Sequence, residues 1–210
     1  MKLYDAEFAP SPRRVRIFLA EKGIDVPVTR IDLRAGDQLG DAYLAINPRG
    51  AVPALELDDG EILCESAAIC RYFEALQPDP PLFGTTPIEI GRIESWTRRI
   101  ESDGYAGVAY VLRNSSPAFK DRGLVGNMGI IPQIPELATR GTIMWNAFLD
   151  ALDAQLRDRA FVAGDRYSFA DITALVTVDF ARAARLRVGD QHVHVAQWHA
   201  RMKERPSADA

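Results

Sequence analysis

Two hundred and ten residues, 47% of them apolar and 26% charged, suffice for one or two compact domains with a sizeable core and exclude a wholly disordered or collagen-like chain. No apolar run reaches the length of a membrane span and the start, Met1-Lys2-Leu3-Tyr4-Asp5, meets an acid at once, so neither a spanning segment nor a signal peptide is expected and the chain reads as cytoplasmic. A formal net charge of -4 argues against a general nucleic-acid binder, and two cysteines, Cys64 and Cys70, are too few for a disulfide scaffold and are not spaced as a CxxC pair.

In chain order, Lys2 to Asp5 reads as a short strand. Ser11-Pro12 then opens a helix, with Ser11 as N-cap and Pro12 at the first helical position; Val15, Phe18 and Leu19 face inward, and Lys22-Gly23 closes it. Val26, Val28, Ile31 and Leu33 suggest a second strand, followed by a short helix over 41–46 and the turn Asn47-Pro48-Arg49-Gly50. Runs 52–57 and 61–64 flank Asp58-Asp59-Gly60 as a hairpin, and Glu65-Ser66 leads into a helix over 67–76. The order is βαβαββα. Pro53 sits at the head of an interior strand, where a missing donor is tolerated only at a strand start or a bulge.

Gln77-Pro78-Asp79-Pro80-Pro81 cannot continue a helix, and from there only helical patterns and one long irregular stretch remain. The expected division is an α/β domain over 1–77, a linker over 78–87 and an all-helical domain over 88–210. Within the last, 90–112 reads as one long helix bearing Tyr105 and Tyr110. Met144, Phe148, Ala151, Leu152 and Leu156 form a core stripe on a second helix, and the stretch between these helices, rich in Gly and Pro, is long enough to be functional or mobile. Ser168 and Asp171 form an S-x-x-D capping box, with Tyr167 and Ile172 at the staple positions.

Several of these motifs together resemble one family, the cytosolic glutathione S-transferases of the serine-type, theta- or nu-like bacterial classes. They are Ser11-Pro12-Arg13-Arg14-Val15-Arg16 running to Lys22-Gly23, then Val52-Pro53-Ala54-Leu55 with its hairpin and Glu65-Ser66. Phe161 to Ile172 and the closing stretch Trp198, Arg201-Met202, Arg205-Pro206-Ser207 complete the set. The resemblance implies a thioredoxin-like βαβαββα domain followed by an all-helical domain, glutathione as cosubstrate, no metal, a small apolar electrophile as second substrate, and a homodimer. It also implies a cis Val52-Pro53 bond that turns the Val52 backbone toward the cysteinyl part of glutathione. The implied activity is alkyl or aryl transfer to the glutathione thiolate. Peroxide reduction or isomerisation on the same fold, and a binding module without catalysis, are the alternatives.

Glu65-Ser66 carries the sharpest chemistry. A helix N-terminus offers backbone N–H groups and a positive dipole end; a serine there suits a carboxylate and an adjacent acid suits an ammonium. An α-amino acid head group, such as the γ-glutamyl end of glutathione, needs both. By resemblance Gln38 falls at the glycyl end, and Tyr105 and Tyr110 fall at the electrophile pocket. At the sulfur-facing position the chain departs from the serine-type pattern, because Ala9 stands at the usual serine position and Ser11 follows two residues later. Ser11 is the catalytic candidate, either as a donor to the thiolate or as a helix cap; Tyr4 is a lesser donor candidate. No cysteine precedes Cys64, against the cysteine-type classes. There is no Gly-rich phosphate loop and no G-x-S-x-G elbow. His192, His194 and His199 lack an obvious carboxylate partner, so no metal site is expected, and Arg13, Arg14 and Arg16 read as a solvated helix face.

Overall fold

The computed structural model describes residues 1–210. The chain forms two compact units: Met1–Pro80 with Leu124–Ile130 and Ala210, and Pro81–Gly123 with Ile131–Asp209.

In the first unit four short strands make one sheet in the order β2-β1-β3-β4: β1 (Lys2–Asp5), β2 (Val28–Arg30), β3 (Ala54–Glu56) and β4 (Ile62–Cys64). β1 pairs parallel with β2 and antiparallel with β3, and β3 pairs antiparallel with β4. The hairpin over Asp58-Asp59-Gly60 is therefore present, with strands shorter than the apolar runs suggested. Helices α1 (Pro10–Lys22), α2 (Asp41–Leu44) and α3 (Ser66–Leu76) complete the βαβαββα order. Successive strand residues face opposite sides. Leu3 and Leu55 are sealed, as are Val15, Ile17 and Phe18 of α1 and Ile69, Cys70 and Phe73 of α3. Tyr4 and Ala54 form a separate cluster with Tyr43 of α2.

One expectation about α1 fails. The helix begins at Pro10 with Ala9 as the N-cap residue in extended conformation, so Ser11 is the second helical residue and not the cap. Pro10 serves at the first position as well as Pro12 would, since its fixed φ is helical and its missing N–H is one the helix leaves unused there. The arginines of α1 are not a solvated face either. Arg16 Nη1 donates to the buried carboxylate of Asp5 at 2.6 Å and Arg30 pairs with the other oxygen, so the end of β1 is held from both sides.

Lys22, expected only to close α1, is buried among the carbonyls of Gln77 (2.8 Å), Pro78 (3.0 Å) and Pro80 (2.5 Å), with Glu74 at 2.5 Å. A buried ammonium is stable only when every proton is met. Here it fixes the chain after α3, where Asp79-Pro80 is cis.

The second unit is helical. Its first long helix runs in three pieces, α4 (Pro87–Arg99), a π-helical turn (Ile100–Tyr105) and α5 (Ala106–Ser115), which is longer than the stretch the sequence pattern marked out. After a loop come α6 (Pro135–Leu156), α7 (Phe169–Phe180) and α8 (Val193–Lys203). Phe148, Leu152 and Leu156 are buried, but Met144 and Ala151 are only half so; Trp145 and Leu149 take their places. α5 and α6 meet through glycine. A Cβ on Gly141 would lie 2.5 Å from the carbonyl oxygen of Gly107, and one on Gly107 would lie 3.0 Å from that of Gly141, so larger residues would force the backbones apart. The capping box of α7 forms, its Asp171 accepting from the Ser168 N–H at 3.1 Å. Two of the three histidines have carboxylate partners, contrary to expectation: His192 Nε2 lies 2.8 Å from Asp150 and His199 Nε2 lies 2.7 Å from Asp179. No group of three or more His, Cys, Asp or Glu is placed to hold a metal ion, and no helix is long and apolar enough to cross a membrane.

Candidate functional site

Glu65 and Ser66 stand at the start of α3. Glu65 is its N-cap residue at φ 69° and ψ 117°, a backbone region that L-residues rarely occupy, and its carboxylate makes no capping bond to its own helix. The side chain points outward, 68% exposed, and Arg49 Nη1 donates to Oε1 at 2.5 Å. Ser66 follows at the first helical position and is buried. Its hydroxyl oxygen accepts from Arg14, from Nε at 3.1 Å and from Nη2 at 2.6 Å. The serine O–H is left to donate, so α3 begins with an acid, a hydroxyl donor and a guanidinium close behind it.

Ser11 and Arg14 are three residues apart on α1 and share a face of the helix, which turns Ser11 toward the same side as the Arg14–Ser66 contact. Pro10 and Pro12 have no N–H, so Ser11 supplies both the hydroxyl and the backbone N–H of that first turn. Tyr4, the lesser candidate, donates its hydroxyl to Glu56 at 2.6 Å and stands edge-on to Tyr43, an ordinary packed tyrosine. The cysteines are free thiols; burial pushes both Cys64 and Cys70 up, which disfavours the thiolate at either.

Val52-Pro53 is cis, and strand pairing begins only at Ala54, leaving Val52 outside the ladder. The approach to it is clamped: the Ala51 carbonyl accepts from the Tyr43 hydroxyl and from Asn47 Nδ2, each at 2.7 Å. Burial pushes the Tyr43 phenol up to about 12, so it remains a donor. Gln38 lies on the 3-10 turn Asp37–Leu39, and its backbone carbonyl is one of the atoms that a Cβ on Gly50 would touch, at 3.0 Å. Its side-chain Oε1 is buried with no hydrogen-bond partner, an acceptor without a donor in a segment otherwise exposed.

Tyr105 and Tyr110 belong to the second unit. Tyr105 lies against Phe180 with ring centroids 5.2 Å apart, and Tyr110 is half-buried one turn further on. A cavity of about 370 Å³ in that unit, lined by Arg92, Arg166, Tyr167 and others, contains none of the candidate residues.

Neither Arg14, read from the sequence as part of a solvated helix face, nor Arg49, read as part of a turn, is a site candidate in the sequence. Nothing in an R-R-V-R run or an N-P-R-G turn announces partners 52 and 16 positions away in the chain. The one available signal was the proximity of both to motifs already marked.

Two family models match this chain: the glutathione S-transferase N-terminal domain over residues 8–76 and the glutathione S-transferase C-terminal domain over residues 145–206. Glutathione S-transferase 2 of Saccharomyces cerevisiae is 36% identical over 209 residues, 99% of this chain and 87% of that protein. The crystal structure of Gtt2 from Saccharomyces cerevisiae superposes with a TM-score of 0.89 at 36% identity, covering 99% of this chain and 98% of that one. A glutathione S-transferase domain-containing protein of Marinobacter aquaeolei VT8 gives 0.90 at 32% identity, with 99% and 100% covered. Over a shorter stretch of 94 residues, 44% of each chain, a maleylacetoacetate isomerase of Pseudomonas aeruginosa is 44% identical.

Proposed function

Because the chain belongs to the glutathione S-transferase family, we propose that it binds glutathione on its first unit and transfers the glutathione thiolate to a small apolar electrophile. The acid–serine pair at the start of α3, with Arg14 bonded to the serine, carries this reading. In it the α-ammonium of the γ-glutamyl group meets the Glu65 carboxylate, and its carboxylate meets the Ser66 hydroxyl and amide in the positive field of the helix end and Arg14. The Val52 main chain, turned out ahead of cis Pro53, pairs with the cysteinyl backbone, and Gln38 takes the glycyl end.

The chemical step then depends on one ionisation. A free thiol near pKa 8.5 is only a few per cent thiolate at neutral pH, and the thiolate is the nucleophile. Lowering that pKa by about two units requires about 2.7 kcal/mol of preferential thiolate stabilisation. Ser11 is assigned this role, because its hydroxyl and its N–H come from one turn at the positive end of α1. The thiol proton leaves to water, and the sulfur attacks the electrophile as its leaving group departs or its double bond takes up charge. Tyr105 and Tyr110 are assigned to the electrophile, and the homodimeric, cytoplasmic state is part of the same reading.

Ser11→Ala tests the assignment. With the turn's N–H left in place, the bound thiol's pKa is expected to rise by about one unit and turnover at neutral pH to fall about tenfold. That deficit should shrink as pH rises and the thiol ionises unaided. Thiolate absorbance of bound glutathione, titrated in both proteins, reads this directly; coincident curves would remove Ser11 from the mechanism. Since Ala9 and not Ser11 is the cap residue, the variant does not forfeit an N-cap bond.

The isomerase relative supports a second reading, in which glutathione adds to a double bond and is released again. Product analysis separates the two: transfer consumes free glutathione stoichiometrically, isomerisation returns it.

A further inference from the structure

The chain leaves the first unit at Pro80 and comes back to it over seven residues, Leu124–Ile130, in the loop between α5 and α6. This strap packs on the turn at Arg49 and Gly50, where its polar contact is with a backbone carbonyl. The Asn127 N–H donates to the Arg49 oxygen at 2.7 Å. Its neighbour Gly126, at φ 97°, lies so close to that oxygen that a Cβ would stand 2.5 Å from it. The other side of Arg49 is fixed as well, since its own N–H donates to Asn47 Oδ1 at 3.1 Å. Both polar ends of the Arg49 main chain are therefore held, one by the turn it belongs to and one by the strap.

From this pinned backbone the Arg49 side chain, 59% exposed, reaches Glu65 Oε1. An exposed ion pair is ordinarily weak, because two long side chains surrender rotamer freedom to make it. A guanidinium whose backbone is already fixed surrenders less, and a carboxylate that it holds through Oε1 presents Oε2 to a second cation. Glu65 itself is turned away from its own helix by a backbone conformation that its side chain does not relieve. The orientation of its carboxylate thus depends on Arg49, and that of Arg49 depends on the strap.

We propose that Gly126, Asn127 and Arg49 are positioning residues for the γ-glutamyl ammonium of glutathione: the strap holds Arg49, and Arg49 holds the Glu65 carboxylate that receives the ammonium. This rests on the reading of Glu65 as the ammonium's anchor. It assigns to the α5–α6 loop a part in selecting ligands that carry an α-amino group.

The test compares glutathione with its desamino analogue, in which hydrogen replaces the α-ammonium, by calorimetry on the full chain. Gly126→Ala, which places a methyl over the Arg49 oxygen, is expected to weaken glutathione binding about fivefold and the analogue less than about twofold, as a coupled pair requires. Asn127→Pro removes the 2.7 Å bond and sets its ring Cδ against the Arg49 carbonyl in place of the N–H, so it is expected to show the same selectivity by a second route. Arg49→Ala leaves the strap residues unchanged and keeps the inference testable should both strap variants fold poorly. Arg49→Ala should weaken glutathione about tenfold, and Arg49→Ala with Gly126→Ala should bind no worse than Arg49→Ala alone. Equal losses for both ligands, additive effects in the double variant, or unchanged glutathione affinity in both strap variants would each overturn the proposal. Failure of the unaltered protein to bind glutathione would overturn the Glu65 reading, and this inference with it. Normal binding in that protein with no selectivity in the variants would overturn this inference alone.

Discussion

Asp171→Ala is expected to destabilise the chain by about 3–5 kcal/mol, the range for removing one side of a buried charged network. Asp171 is fully buried at the first turn of α7. Its Oδ1 accepts from the Val162 N–H at 2.9 Å and from Trp198 Nε1 at 3.1 Å, and its Oδ2 accepts from the Ser168 N–H at 3.1 Å and the Ser168 hydroxyl at 3.0 Å. One carboxyl thus joins the segment before α7, the cap of α7 and the ring of α8, and alanine would leave several buried donors unmet. Burial pushes the carboxyl up to about 6, against the four donors that favour its ionised form. The sign follows from linkage. The folded state holds this proton to a higher pH than the unfolded one does, so Asp171 makes stability fall as pH rises from about 4 to about 6, with no further change above. Asp171→Asn keeps an oxygen for Val162 and Trp198 and carries no charge, so it should destabilise less than alanine and lose this pH dependence. Urea midpoints of the three proteins at pH 4.5 and pH 7 check both points. A wild-type and an asparagine variant that respond alike to pH would show that Asp171 does not titrate in that window.

The sequence made the elements legible where one local cause determined them. The capping box at Ser168, the Asp-Asp-Gly hairpin and the acid–serine start of α3 each involve residues within a few positions, and each forms. The start of α1 is ambiguous in the sequence because two prolines compete for it, and the serine between them is not needed as a cap when Ala9 can hold the extended N-cap backbone. What the sequence hid is distant pairing. Arg14 and Arg16 look alike on a charged helix, yet one meets Ser66 and the other Asp5, and the carboxylates of His192 and His199 come from 42 and 20 residues away. Long charged side chains are usually solvated, so composition alone assigns them to the surface. The strap was visible only as a long loop; that Gly126 and Asn127 close on Arg49 is a property of the fold.

Replacing Glu65 by alanine is expected to weaken glutathione binding by about 1.5–3 kcal/mol, the value of a charge-assisted hydrogen bond to an ammonium. Replacing it by glycine should weaken binding as much and yet leave the chain more stable than alanine does. The difference lies in the backbone. At φ 69° and ψ 117° any residue with a Cβ is strained, typically by about 1–3 kcal/mol, whereas glycine is not. Both variants lose the exposed pair with Arg49, worth at most about 1 kcal/mol, so comparing them cancels that loss. Glycine also gives the unfolded chain more freedom, which takes back about 0.5–1 kcal/mol of the gain. The expected order of melting temperatures is therefore Glu65→Gly above Glu65→Ala, with both well below the unaltered protein in glutathione affinity by calorimetry. Equal melting temperatures would limit the strain stored at the positive φ to about 0.5–1 kcal/mol, the amount that glycine's unfolded-state freedom takes back. Undiminished affinity in both variants would remove Glu65 from the ligand site. The combination expected, backbone strain relieved by glycine at the residue whose carboxylate the ligand needs, is what a protein shows when it holds an unfavourable backbone in order to aim a carboxylate outward.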